Sequence, residues 1–239
     1  MDRRGPYHQQ VQLLLQLLPY VAEHEYFALK GGTAINLFCR NLPRLSVDID
    51  LVFLPMMERE EALNTIRQSL SVLAESIRSG IPGAEVVASF REKQDALRLT
   101  VNKEGAQIKI ELSPVLRGTV YTPAVMPVSK SVEENFGYAE IQVVHFADLY
   151  AGKICAALDR QHPRDLFDVK LLLDNEGVDD SLRKALLVYI ISHNRPIAEL
   201  LRPNFKEISG LYEGEFRNMA QEDVSLHELE TIRERLVDL

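Results

Sequence analysis

The spacing of hydrophobic positions along the chain changes period several times. From residue 6 to 25 apolar residues recur at helical spacing and predict an amphipathic helix. YFALK (26–30) is a short strand signal that Gly31-Gly32 breaks. TAINLFCR (33–40) then reads as a helix with Thr33 near its start. LSVDIDLVFL (45–54) alternates strictly at first, which predicts a strand. Residues 57–79 return to helical spacing and end at GIPG. Three strands are expected next, in AEVVASFRE, ALRLTVNK and AQIKIELSP, with a hairpin turn at Asn102 to Gly105 joining the last two. Pro114, Pro123 and Pro127 confine residues 114–145 to short extended pieces, with a strand at EIQVVHF. From residue 146 the pattern is helical. FADLYAGKICAALDR, PRDLFDVKLLLDN with Pro163 in its first turn, and DSLRKALLVYIISH precede two weaker helices, which include LHELETIRERLVDL. No repeat or low-complexity segment interrupts this order. It predicts an α/β (α+β) domain over 1–145 and a helical region over 146–239.

The alternation of the 45–54 segment puts Arg44, Ser46, Asp48 and Asp50 on one face of a strand, with the two carboxylates about 6–7 Å apart. Like charges held that close in a cleft repel, and burial raises their pKa values. A divalent cation between them removes the difficulty. Mg²⁺ takes one or two carboxylates together with water and substrate phosphate, and paired ions can clamp both oxygens of a phosphoryl or nucleotidyl transfer. Glu111, on the alternating AQIKIELSP segment, is a third carboxylate if that strand lies alongside. The alternative is that the two aspartates line the solvent face of an antiparallel sheet.

Gly31-Gly32 falls between a strand and a helix, where backbone N–H groups can approach a phosphate. Lys30 and Arg44 flank it with positive charge. A second dense stretch is DLYAGKICAALDRQHPRDLFDV. Lys153 and Arg160 are seven apart on one helix face, and Asp165 and Asp168 stand in the first turn of the next helix. Helix capping and an Arg160–Asp ion pair account for these acids without any chemistry.

Taken together, KGGTA (30–34) followed by RLSVDID (44–50) resembles motif I of the DNA polymerase β-like nucleotidyltransferase superfamily. More closely it is similar to the AbiEii/AbiGii toxin family, whose pattern K-G-G-T-A, then R-x-S-x-D-x-D, is matched by Lys30, Gly31, Gly32, Thr33, Ala34, Arg44, Ser46, Asp48 and Asp50. The second stretch resembles that family's second signature through Lys153, Arg160, Arg164, Asp165, Leu166 and Asp168. The resemblance implies a minimal nucleotidyltransferase fold with a mixed sheet, completed by the helical region packing on it. It implies Mg²⁺ (or Mn²⁺) on Asp48 and Asp50, with Glu111 as third ligand at a place where the wider superfamily commonly has Asp. Triphosphate contacts would come from Lys30, Gly31, Gly32, Thr33, Arg44, Ser46, Lys153, Arg160 and Arg164. One acid, Asp165 or Asp168, would orient the nucleotide or assist proton transfer; Asp168 lies further into the helix, where capping explains it less well. The implied biology is a toxin of a bacterial toxin–antitoxin or abortive-infection system, with an antitoxin partner. It would transfer NMP from an NTP to an acceptor such as the tRNA 3′ end, blocking translation. A nucleotidyltransferase acting on an antibiotic or a protein, and a non-catalytic NTP-binding regulator, are the competing expectations.

Charge bears on the acceptor. The 239 residues carry a net charge of −8, which opposes RNA binding. Residues 213–239 hold eight acids against three arginines, so the remainder is nearly neutral and is free to present a local basic face. No apolar run reaches the roughly 18–20 residues of a membrane span, and the N-terminal segment lacks a signal-peptide cleavage pattern. Cys39 and Cys155 sit among apolar residues, as expected of buried thiols in a cytoplasmic protein.

Overall fold

The structure is a computed structural model that describes residues 6–91, 93 and 96–238. The chain forms two compact units. The first runs through Leu42 and resumes from Ser46 to Val144; the second comprises Pro43–Leu45 and the chain from His145 onward.

The first unit is built on a mixed sheet of seven strands: β1 (Phe27–Lys30), β2 (Ile49–Phe53), β3 (Glu85–Ala88), β4 (Arg98–Lys103), β5 (Ala106–Arg117), β6 (Ala124–Pro127) and β7 (Glu140–Val143). Their spatial order is β3-β4-β5-β2-β1-β7-β6. β2 runs parallel to β5 and β1 parallel to β7, while the remaining pairs are antiparallel. The central strands are apolar on both faces. Phe27, Ala28, Leu29, Ile49, Leu51, Val52 and Phe53 are all buried, which leaves Asp50 as the one polar side chain of β2. The hairpin between β4 and β5 turns at Glu104 and Gly105, both with positive φ, as a two-residue hairpin loop of matching twist demands.

Helices α1 (Pro6–Ala22) and α3 (Arg59–Gly80) belong to this unit. In α1 the exposed Gln9, Gln12, Gln16 and Pro19 form a thin stripe opposite the buried Val11, Leu14, Leu15, Leu18 and Val21. In α3, Ala62, Leu63, Ile66, Leu70, Leu73, Ala74 and Ile77 make the apolar stripe. Between β1 and β2 the expected helix forms as one α-turn, α2 (Gly31–Thr33), continued by a π-helix over Ala34–Cys39. A helix α4 (Lys130–Phe136) occupies part of the stretch where only extended pieces were expected.

The second unit is helical: α5 (Phe146–Asp159), α6 (Pro163–Asn175), α7 (Asp180–Ile191), α8 (Ile197–Leu201), α9 (Ser209–Glu215) and α10 (Leu226–Val237). α5 is buried almost all round, as a central helix must be.

One expectation needs correcting. The strand anticipated over 45–54 begins only at Ile49. β1 ends at Lys30 opposite Asp50, so among the described residues no strand lies beside residues 45–48 on that flank. Residues 43–45 pair elsewhere: Arg44 bridges Ala220, the Leu45 N–H donates to the Met219 carbonyl, and the Gln221 N–H donates to the Pro43 carbonyl. Arg44, Ser46, Asp48 and Asp50 therefore do not share one strand face.

Candidate functional site

In the first unit, strand register assembles a row of charge. Lys30 on β1 is opposite Asp50 on β2, Asp50 is in register with Glu111 on β5, and Glu111 is opposite Arg98 on β4. Side chains in register on neighbouring strands share a face, with strands about 4.8 Å apart. The row therefore reads Lys, Asp, Glu, Arg across four strands. Glu111 forms an ion pair with Arg98. Asp50 is half-buried and, among the described residues, makes no ion pair.

Gly31 lies against this row. Its φ is +76°, and a Cβ built on it would stand 2.4 Å from Asp50 Oδ2. The turn thus needs glycine twice over, for its left-handed backbone and for the carboxylate packed against it. Thr33 is fully buried; its Oγ1 donates to the Asp48 carbonyl at 2.5 Å and lies 3.3 Å from Ser46 Oγ. The Gly32 carbonyl accepts from Asn36 Nδ2 at 2.8 Å. Asp48 is exposed, just ahead of β2.

Among the described residues no three His, Cys, Asp or Glu side chains converge as a metal cluster. The donor chemistry nonetheless suits an oxygen-preferring divalent cation. Asp50 is a half-buried carboxylate beside a second carboxylate, and Asp48 stands two residues away.

The second unit holds a buried ionic cluster. Lys153 on α5 is only 6% exposed, and its Nζ lies 2.9 Å from Asp165 Oδ1 and 3.0 Å from Asp168 Oδ2. Arg160, which caps the end of α5, grips Asp165 through Nε and through Nη2, the latter at 2.9 Å from Oδ1. Arg44 grips Asp168 through Nε at 2.7 Å and Nη2 at 2.5 Å. Pro163 at the start of α6 and the His162 ring, which accepts from the Arg164 N–H, set the helix so that both aspartates face α5. Burial alone would raise both carboxyl pKa values. At Asp165 the Lys153 and Arg160 charges outweigh it, at Asp168 those of Arg44 and Lys153, and both groups are held below the usual carboxylate range. The ion pair anticipated for Arg160 is present, with Lys153 added to it. Arg164 is drawn away to Glu215, 3.6 Å distant, and lines a separate cleft with residues 213–219. Burial pushes the Cys155 thiol up to about 12, so it is no nucleophile.

Three partnerships escaped the sequence: Arg44 with Asp168, Thr33 with Asp48, and Arg98 with Glu111. Only the last had a signal, since a hairpin centred between Glu104 and Gly105 fixes Arg98 opposite Glu111.

A family model described as nucleotidyl transferase AbiEii toxin, type IV TA system, matches residues 12–238. The chain belongs to the AbiEii nucleotidyltransferase toxin family. As an AbiEii protein it is a nucleotidyltransferase that uses an NTP, and the toxin of a toxin–antitoxin pair. Among solved structures, MenT4, the nucleotidyltransferase toxin Rv2826c from Mycobacterium tuberculosis H37Rv, aligns with a TM-score of 0.69 at 16% identity. The alignment covers 100% of this chain and 86% of that one, and at this identity the likeness is one of fold. No curated protein matches the sequence. Among the described residues no helix is long and apolar enough to cross a membrane.

Proposed function

We propose that this AbiEii toxin transfers the NMP of an NTP to an RNA acceptor, the tRNA 3′ end, and so arrests translation in the cytoplasm until its antitoxin intervenes. The observation that carries the reading is the Asp50 carboxylate packed against the Gly31 turn, in register with Lys30 and Glu111.

Asp48 and Asp50 would hold Mg²⁺ or Mn²⁺, with Glu111 as third carboxylate. Such an ion, when bound, neutralises phosphate charge and draws electron density from the α-phosphorus. Lys30 supplies a cation beside Asp50 for the triphosphate. The acceptor hydroxyl attacks the α-phosphorus while the bond from that phosphorus to the bridging oxygen breaks; pyrophosphate leaves with the bridging oxygen, and the hydroxyl proton passes to solvent water. Positioning and charge carry such a reaction.

The helical unit would offer charge of its own. Three cations on two carboxylates leave its cluster with one positive charge in excess, which favours a triphosphate. Asp165 and Asp168 are too weakly basic to take the acceptor proton, because their cations stabilise the ionised form. Their part in this reading is to aim Lys153, Arg160 and Arg44.

Incubation with total RNA, Mg²⁺ and each labelled NTP tests the proposal. Label on the tRNA 3′ end is expected. Label on protein or a small molecule but on no RNA would remove the RNA acceptor and leave the transfer chemistry standing.

A further inference from the structure

Strands β1 and β2 pair only as far as Lys30 and Asp50. At Gly31 the chain leaves the sheet and turns into a helix. The carbonyl of Asp48, two residues outside the β1–β2 ladder, has no strand among the described residues beside it on that flank. The Thr33 hydroxyl takes the place of the missing ladder donor, with Oγ1 at 2.5 Å from that carbonyl. A carbonyl oxygen only accepts, so this bond engages the single hydroxyl proton of Thr33. Oγ1 is also 3.3 Å from Ser46 Oγ. With its proton committed, Thr33 accepts there and Ser46 donates. One buried hydroxyl therefore fixes the backbone that carries Asp48 and turns the Ser46 proton inward. The Ser46 lone pairs are left as what it offers outward.

We propose that Thr33 is a positioning residue for nucleotidyl transfer. It holds Asp48 and Ser46 in place and does not touch the triphosphate. This replaces the expectation that Thr33 is a phosphate contact. Its bonding agrees: the one proton of this buried hydroxyl is already given to the Asp48 carbonyl, which leaves none for a phosphate oxygen. The proposal rests on the reading of Asp48 and Asp50 as the cation-holding pair.

Thr33→Val keeps the shape and removes the donor, while Thr33→Ser keeps the donor. Two readouts are taken on the full chain: steady-state transfer, and amide hydrogen exchange without metal or nucleotide. For Thr33→Val, kcat is expected to fall about 10²-fold with KM for the NTP little changed, the mark of misplaced groups and not of lost ground-state binding. Exchange over residues 45–48 should accelerate about tenfold while 51–53 in β2 stay protected. Thr33→Ser should restore both. If Thr33→Val does not fold, Thr33→Cys, a weaker donor of similar size, replaces it with the same expected direction.

A rise in KM at constant kcat would make Thr33 a ligand contact and overturn the proposal. So would a Thr33→Ser protein as impaired as Thr33→Val, or unchanged exchange over 45–48. If wild-type protein transfers no nucleotide, the reading of the reaction fails by itself, and the exchange comparison still decides the role of Thr33.

Discussion

Arg44 closes a two-pronged hydrogen bond on Asp168, 124 positions further along the chain, with both side chains almost fully buried. Lys153 shares the same carboxylate. A buried carboxylate between two cations is costly to break, because each partner left behind is a charge without compensation. Asp168→Asn should therefore destabilise the protein by about 3–5 kcal/mol. Urea unfolding with an unchanged m-value measures this. A loss under about 1 kcal/mol, the size of an exposed pair, would show that the cluster is open to water. Arg44→Lys, which cannot reproduce the fork, should lose part of the same stability.

The contact between Gly31 and Asp50 gives a prediction with an internal control. Gly31→Ala places a Cβ 2.4 Å from Asp50 Oδ2 at a φ of +76°. Gly105→Ala meets a similar φ, +82°, with nothing within 4 Å. Both variants should lose about 1–2 kcal/mol to left-handed backbone strain. Only Gly31→Ala should also lose transfer activity, about 10²-fold, because the carboxylate must move. Thermal melts and initial rates on the two variants check this. Equal activity loss in both would assign the effect to strain alone.

How far the sequence could be read depended on whether order in the chain was order in space. The hairpin over 98–117 was legible because strict alternation meets a two-residue turn, and the turn then fixes every cross-strand pair, Arg98 with Glu111 included. Asp48 and Asp50 were legible as a pair, but not the place where β2 starts. Alternation in 45–48 imitates a strand, whereas pairing requires a neighbour, and β1 ends too soon to provide one. The seating of Arg44 on Asp168 was hidden for a related reason. Residues 43–45 leave the first unit to pair with 219–221, and no local pattern announces such a crossing. Asp165 and Asp168 looked like caps or catalytic acids because spacing on a helix gives a face, not what stands against it.

The carboxylates should separate by role. Asp48→Asn at an exposed position should change stability by no more than about 1 kcal/mol. Asp50→Asn removes a like charge next to Glu111 and should be neutral or stabilising by up to about 1 kcal/mol without metal. Either substitution should cut transfer by about 10²–10³-fold. Mg²⁺ should raise the Tm of the wild-type protein and leave both variants unmoved, since only a bound ligand shifts the folding equilibrium. Glu111→Gln should retain more activity than either, because Glu111 already serves Arg98. Full activity in Asp50→Asn would show that the row of charge across the sheet has no part in transfer.

Stability should fall in two steps as the solution is acidified. Burial lowers the pKa of His24 and His162 below the ordinary 6.5. Unfolded histidine then binds its proton first as pH drops through about 6.5, so the folded state begins to lose stability there. Asp165 and Asp168 are depressed as well, by cations that outweigh burial. Their contribution is complete above the unfolded carboxylate value of about 3.9 and is lost as pH falls toward the folded values. Urea midpoints from pH 8 to 3 should show a shallow decline below about 6.5 and a steeper one below about 4. Asp168→Asn should flatten the steeper limb and leave the shallow one in place, because it removes one of the depressed carboxyls and touches neither histidine. An unchanged acid limb in that variant would mean that the cluster does not set the protein's tolerance of acid.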